Sequence, residues 1–154
     1  MILVAADGSD QSQAAMRIAL ELAARGGDEL LVVTVWRELH ATLGIPVDPE
    51  LERQDAAETA ARTAELAEEV GLEPEVLIRR GRPGPELCRV AREREARLIV
   101  MGSHGLGPVA RALVGSVSGY AIGHAPCPVL VVRSPDVSEG DAGLSTAMPT
   151  KEKA

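Results

Sequence analysis

Aromatic side chains are almost missing from this sequence. Its 154 residues include one tryptophan, one tyrosine and no phenylalanine. The core must therefore be aliphatic, and the composition argues against stacking platforms for single-stranded nucleic acid, which need exposed aromatic faces. Lysine is missing from the body of the chain. Lys151 and Lys153 stand in the last four residues, and fourteen arginines carry the other positive charges. A Schiff-base, kinase-type or P-loop lysine inside the domain is excluded with it. The formal net charge is −7 and no dense basic run occurs, which disfavours non-specific binding to DNA or to anionic lipid. No hydrophobic run approaches the length of a membrane span. The first one, "MILVAA", meets Asp7 at once and does not read as a signal peptide, so a cytoplasmic location is expected. Cysteine is scarce: Cys88 and Cys127 fit neither a redox CxxC nor a zinc pattern, and read as small buried hydrophobes.

What is present is ordinary for a soluble domain, with 45% hydrophobic and 25% charged residues. The length suits one domain that buries roughly two thirds of its unfolded surface. "MILVAA" is an apolar run of strand length. A helix follows over 10–27, with Asp10 as N-cap, Gln13 completing a capping box, Ala15, Ile18 and Leu22 on one face, and Gly26-Gly27 as the stop. "ELLVVTVW" is a second strand, and 37–48 an irregular loop. An Ala- and Glu-rich helix spans Pro49 to Val70 and carries Leu51, Leu66 and Val70. "EPEVLIRRG", "RLIVMG" and "CPVLVVR" are further strands, separated by helices over 83–96 and from about Ser116 to His124. Residues 135–154 lose periodicity and turn to Pro, Ser, Gly, Asp and Thr; they read as a disordered tail behind a domain of residues 1–134.

Short apolar strands alternating with helices specify an α/β fold with a parallel sheet covered on both faces. Right-handed crossovers make it a single doubly wound, Rossmann-like domain of five strands in the order 3-2-1-4-5. Ligands in such sheets sit beyond the carboxyl ends of the strands where the winding reverses, here between strands 1 and 4. The loops at that point are "DGS" after strand 1 and "GSHGLGPVARALVGS" after strand 4.

The second loop is rich in glycine and poor in reactive side chains. A P-loop fails for want of lysine. A dinucleotide fingerprint matches in form at Gly105-Leu106-Gly107-Pro108-Val109-Ala110, but it follows the wrong strand, is interrupted by Pro108 and lacks a carboxylate about twenty residues on. A longer spacing remains: Gly102, two residues, Gly105, nine residues, then Gly115-Ser116. Glycines at these points let backbone amides approach phosphate oxygens, and Ser116 would cap the last helix at an end whose dipole favours anions.

This spacing resembles the Gly-x2-Gly-x9-Gly-Ser/Thr motif of the ATP-binding universal stress proteins. The resemblance covers residues 1–134 and includes "DGS", Gly81-Arg82-Pro83, "VMGSHG" and "HAPCPVLVV". It implies that Asp7 binds the ribose hydroxyls and that Val35 packs on the adenine. Met101 and Gly102 would line the base and ribose, His104 and Gly105 approach the phosphates, and Gly115, Ser116 and Val117 complete the cradle. Ala5 departs from the family, several members of which have proline there. Arg111 reads equally as a phosphate contact or as an exposed helix-surface arginine, while His40 and His124 receive no role.

The implied function is that of a stress-response regulator that binds ATP, with magnesium or manganese as the companion cation, and hydrolyses it slowly if at all. No catalytic residue and no protein metal ligand is assigned. A homodimer through the last strand is implied, with neither nucleic acid nor membrane as partner. The alternatives are a slow ATPase, or a partner-binding module with a vestigial nucleotide site.

Overall fold

The computed structural model describes residues 1–36, 48–103 and 115–133. The strands are β1 (Ile2–Ala5), β2 (Leu30–Trp36), β3 (Glu75–Arg80), β4 (Leu98–Gly102) and β5 (Val129–Val132). The helices are α1 (Asp10–Gly26), α2 (Pro49–Glu68), α3 (Pro83–Glu93) and α4 (Ser116–His124). All strand pairs are parallel and the order is β3-β2-β1-β4-β5, as the alternation of short apolar runs and helices requires. The expected tail, 135–154, lies outside the described residues, as does most of the loop after β2.

The two-residue period of the strands splits the core between the faces of the sheet. Ile2, Val4, Leu30, Val32 and Val100 pack with α1 and the end of α2. Leu3, Leu31, Val33, Ile99 and Met101 pack with α3 and α4. The central strands are apolar on both faces for this reason, and no Phe is needed between layers of such small residues.

Small residues also determine how the helices lie, and here the sequence reading needs correction. In α1 the buried positions are Ser12, Ala15, Met16, Ala19, Leu20 and Ala23, whereas Ile18 is 37% exposed. In α2 a stripe of Ala56, Ala60, Thr63, Ala64 and Ala67 faces inward, while Leu51 and the post-helical Val70 are exposed. Alanine stripes let a helix settle close to the sheet, and the larger apolar residues beside them are left at the rim. The ends shift as well. Ser9, not Asp10, caps α1, its hydroxyl oxygen accepting from Ser12 N–H at 3.1 Å. Gly27, at φ +66°, closes that helix through its N–H to Ala23 O. α3 stops at Glu93, short of Ala96, and Glu95 turns the chain at φ +50°.

The end of the sheet remote from the switch point is tied by ion pairs of Asp28 with Arg97 and with the N-terminal ammonium of Met1. Arg97 donates to both oxygens of Asp28, with Nε–Oδ1 at 2.6 Å, and Arg97 N–H donates to Met1 O. The Arg97 hydrogen bonds hold the Asp28 carboxyl below its ordinary value against a smaller opposing effect of desolvation. A lowered carboxylate value stabilises the fold above the ordinary carboxylate range, and that contribution disappears as pH falls through the folded value. Asp28→Asn is therefore expected to melt below the wild type at pH 7, with the gap closing as pH falls below the ordinary carboxylate range. A gap in melting temperature that stays equal over that fall would show that the pair acts by packing alone.

Candidate functional site

The site is built where β1 and β4 end side by side. β1 runs into Asp7-Gly8-Ser9, and Gly8 takes φ +80°, a conformation that side chains resist. Ser9 orients the carboxylate of Asp7: its N–H donates to Asp7 Oδ1 at 3.0 Å and its hydroxyl donates to the same oxygen at 2.6 Å. Asp7 is exposed, and among the described residues its Oδ2 has no partner. The cap of α1 thus doubles as a brace for an acceptor oxygen at the mouth.

Across from it, β4 ends in Met101, Gly102 and Ser103. Gly102 has a packing reason of its own. A Cβ there would lie 2.9 Å from Gln11 Cβ, 3.1 Å from Gln11 C and 3.2 Å from Ser12 N, against the backbone of α1's first turn. Strand and helix approach this closely only because the position lacks a side chain. Ser103, 2% exposed, is held by its N–H to Val132 O at 2.8 Å and by its hydroxyl donating to Gln11 Oε1 at 3.1 Å.

Ser103 O is then the point to which the far end of the glycine loop returns. Gly115 N–H donates to it at 2.8 Å, and the Ser118 hydroxyl lies 2.9 Å from it and 3.1 Å from Gly115 O. Ser118 is buried and was missed in the sequence reading; its signal is a serine inside the first turn of a short helix, where a hydroxyl can reach back to backbone carbonyls. Ser116 is not the N-cap expected. Gly115 is, at φ −71° and ψ 166°, with Ser116 exposed at the first helical position. Gly119 N–H makes the first bond of the helix, to Gly115 O. The amides of Ser116, Val117 and Ser118 therefore precede the helical ladder, and a glycine cap puts no side chain over them.

Val35, Met101 and Val117 share the α3/α4 face of the sheet, with Met101 buried and the other two packed at its margin. Of the expected site residues, Asp7, Val35, Met101, Gly102, Gly115, Ser116 and Val117 are thus placed on the strand ends around the switch point or at the α4 start. His104 and Gly105, together with Arg111, lie outside the described residues. Among the described residues no group of three His, Cys, Asp or Glu side chains suited to a metal ion forms, and no helix is long and apolar enough to cross a membrane.

The remaining chemistry-bearing groups are quiet. Cys88 is buried and Cys127 half-buried, and burial pushes both thiols up, away from the reactive thiolate. His124 stacks on Tyr120 with ring centroids 4.1 Å apart, near the end of α4.

Residues 1–133 match the model of the universal stress protein family. A universal stress protein of Thermus aquaticus is 37% identical over 133 residues, which cover 86% of this chain and 97% of that one. A universal stress protein of Archaeoglobus fulgidus in complex with dAMP superposes with a TM-score of 0.66 at 28% identity, covering 85% of this chain and 95% of that one. A universal stress protein in complex with cAMP gives a TM-score of 0.68 at 25% identity, with 85% and 94% covered. Fold, strand order, the spacing of the glycine loop and these likenesses agree: the chain belongs to the universal stress protein family.

Proposed function

We propose that this chain binds an adenine nucleotide, ATP in the first place, at the β1/β4 switch point, and acts in the stress response by holding it without rapid hydrolysis. The observation that carries the reading is the closure on Ser103 O. It brings the start of α4, with the uncapped Ser116, Val117 and Ser118 amides, to the end of β4. Amides there, with the helix dipole behind them, suit phosphate oxygens. Asp7, braced through Oδ1, offers Oδ2 as an acceptor for ribose hydroxyls. Val35 and Met101 supply an apolar wall for a base. The relatives that bind dAMP and cAMP support an adenine nucleotide as the ligand class.

Binding without fast transfer follows from what the residues lack. Phosphoryl transfer needs positive charge on the migrating group, an oriented nucleophile and usually a metal. The chain has no lysine before residue 151, and the carboxylate at the switch point, Asp7, is engaged by Ser9. A magnesium or manganese ion would be held chiefly by the phosphates. Two copies associate through β5 in this reading, and the protein works in the cytoplasm.

Purified protein is expected to release adenine nucleotide on denaturation and to liberate phosphate from added ATP slowly or not at all over minutes. Turnover near one per second, within the ordinary enzyme range, would replace the holding role with an enzymatic one.

A further inference from the structure

We infer that Arg82 is the cation that engages the distal phosphates, so that this chain selects nucleoside triphosphates over monophosphates; the inference rests on the nucleotide-binding reading above. The start of α3 lies so close to the middle of α4 that a Cβ on Gly84 would sit 2.9 Å from Tyr120 Cβ, Cγ and Cδ1. Between the starts of the two helices is a cleft of about 110 Å³, lined by Arg82 on one side and by Ser116 and Val117 on the other. Arg82 and the residues that begin α4 thus border one space.

Arg82 is placed there by the chain before it. Gly81 N–H donates to Trp36 O at 2.8 Å, and Gly81 turns at φ +147°, fixing the exit from β3. Arg82 is the N-cap of α3, yet its side chain makes no capping bond, and it is exposed. Among the described residues it has no ion pair. The arginines around it do: Arg79 with Glu93, Arg89 with Glu86 and Glu93, Arg94 with Glu75. Arg80 lies over the Trp36 ring.

Charge gives this placement its meaning. Pro83 and Pro85 remove amide donors from the first turn of α3, so on that side of the cleft anion binding falls mainly to Arg82. A helix start offers roughly half a positive charge, far short of the charge of a triphosphate. A guanidinium, with its fork of donors, adds a full positive charge where the domain has no lysine.

The test is calorimetric titration of the full chain with ATP and AMP, before and after Arg82→Gln. ATP affinity is expected to fall roughly tenfold, the size of one lost charged hydrogen bond, with AMP affinity changed less than about twofold. The salt dependence of ATP binding should become shallower, and Arg82→Lys should recover part of the loss. The melting temperature without nucleotide should stay the same, because no capping bond is lost. If the wild type binds ATP and Arg82→Gln weakens ATP and AMP alike, or neither, the inference is overturned while nucleotide binding stands. If the wild type binds no adenine nucleotide, both fall.

Discussion

Gly102→Val is expected to lower the melting temperature by about 10 °C and to abolish nucleotide retention. The added atoms meet the backbone of Gln11 and Ser12, which cannot rotate aside as a flexible side chain would. Overpacking of this kind costs about 3 kcal/mol, and a domain of this size loses about 3 °C per kcal/mol. To relieve it, the end of β4 must move off the first turn of α1. That displaces Ser103, whose carbonyl receives both Gly115 N–H and the Ser118 hydroxyl. Stability and binding therefore fall together. Gly105→Val is the companion variant, at a motif position outside the described residues: it should keep the melting temperature and lose the nucleotide. Thermal melts and nucleotide extraction on both proteins settle the difference. A Gly102→Val protein as stable as the wild type would show that α1 yields more easily than its backbone packing implies.

The fold was legible because its strongest signal is local. Short runs such as "LIVM" and "LLVV" between helical segments leave little choice but a buried parallel sheet, and the reversal point follows from the order of strands. The glycine motif pointed to the candidate site for the same reason, since its spacing is written along one stretch of chain. What the sequence obscured depends on alanine. Ile18 outranks Ala19 on any hydrophobicity scale, but close approach to the sheet favours the smaller side chain, so the buried face of α1 is rotated from the expected one. The N-caps at Ser9 and Gly115 were each misplaced by one residue, because neighbouring residues were equally good candidates and the backbone made the choice. The packing role of Gly102 was hidden for another reason. It depends on the distance to Gln11, ninety-one positions earlier in the chain.

Leu130→Glu is expected to convert a dimer into a monomer. β5 is an edge strand, and Leu130 is 36% exposed on it, with Ile122 of α4 57% exposed nearby in the chain. The other edge, β3, is defended: it carries Glu75, Arg79 and Arg80, with Glu75 and Arg79 in ion pairs to α3 and its margin. An unpaired apolar edge invites a second strand, while charge on an edge repels one. Association should therefore use β5 and stop at two copies. A glutamate at the centre of the joint would bury a charge without a partner, which weakens dimerisation by at least about 100-fold. Sedimentation at tens of micromolar should give a dimer for the wild type and a monomer for the variant. A monomeric wild type would remove the role assigned to this edge.

The anchoring of Gly115 and Ser118 on one carbonyl also bears on how this fold tolerates length changes. Both ends of the intervening segment are fixed by the scaffold, so inserting or deleting residues between them leaves the anchors where they are. Each doubling of a flexible segment adds only about 0.6 kcal/mol of closure entropy. A change of length between Ser103 and Gly115 is thus expected to leave the melting temperature of the domain nearly unchanged.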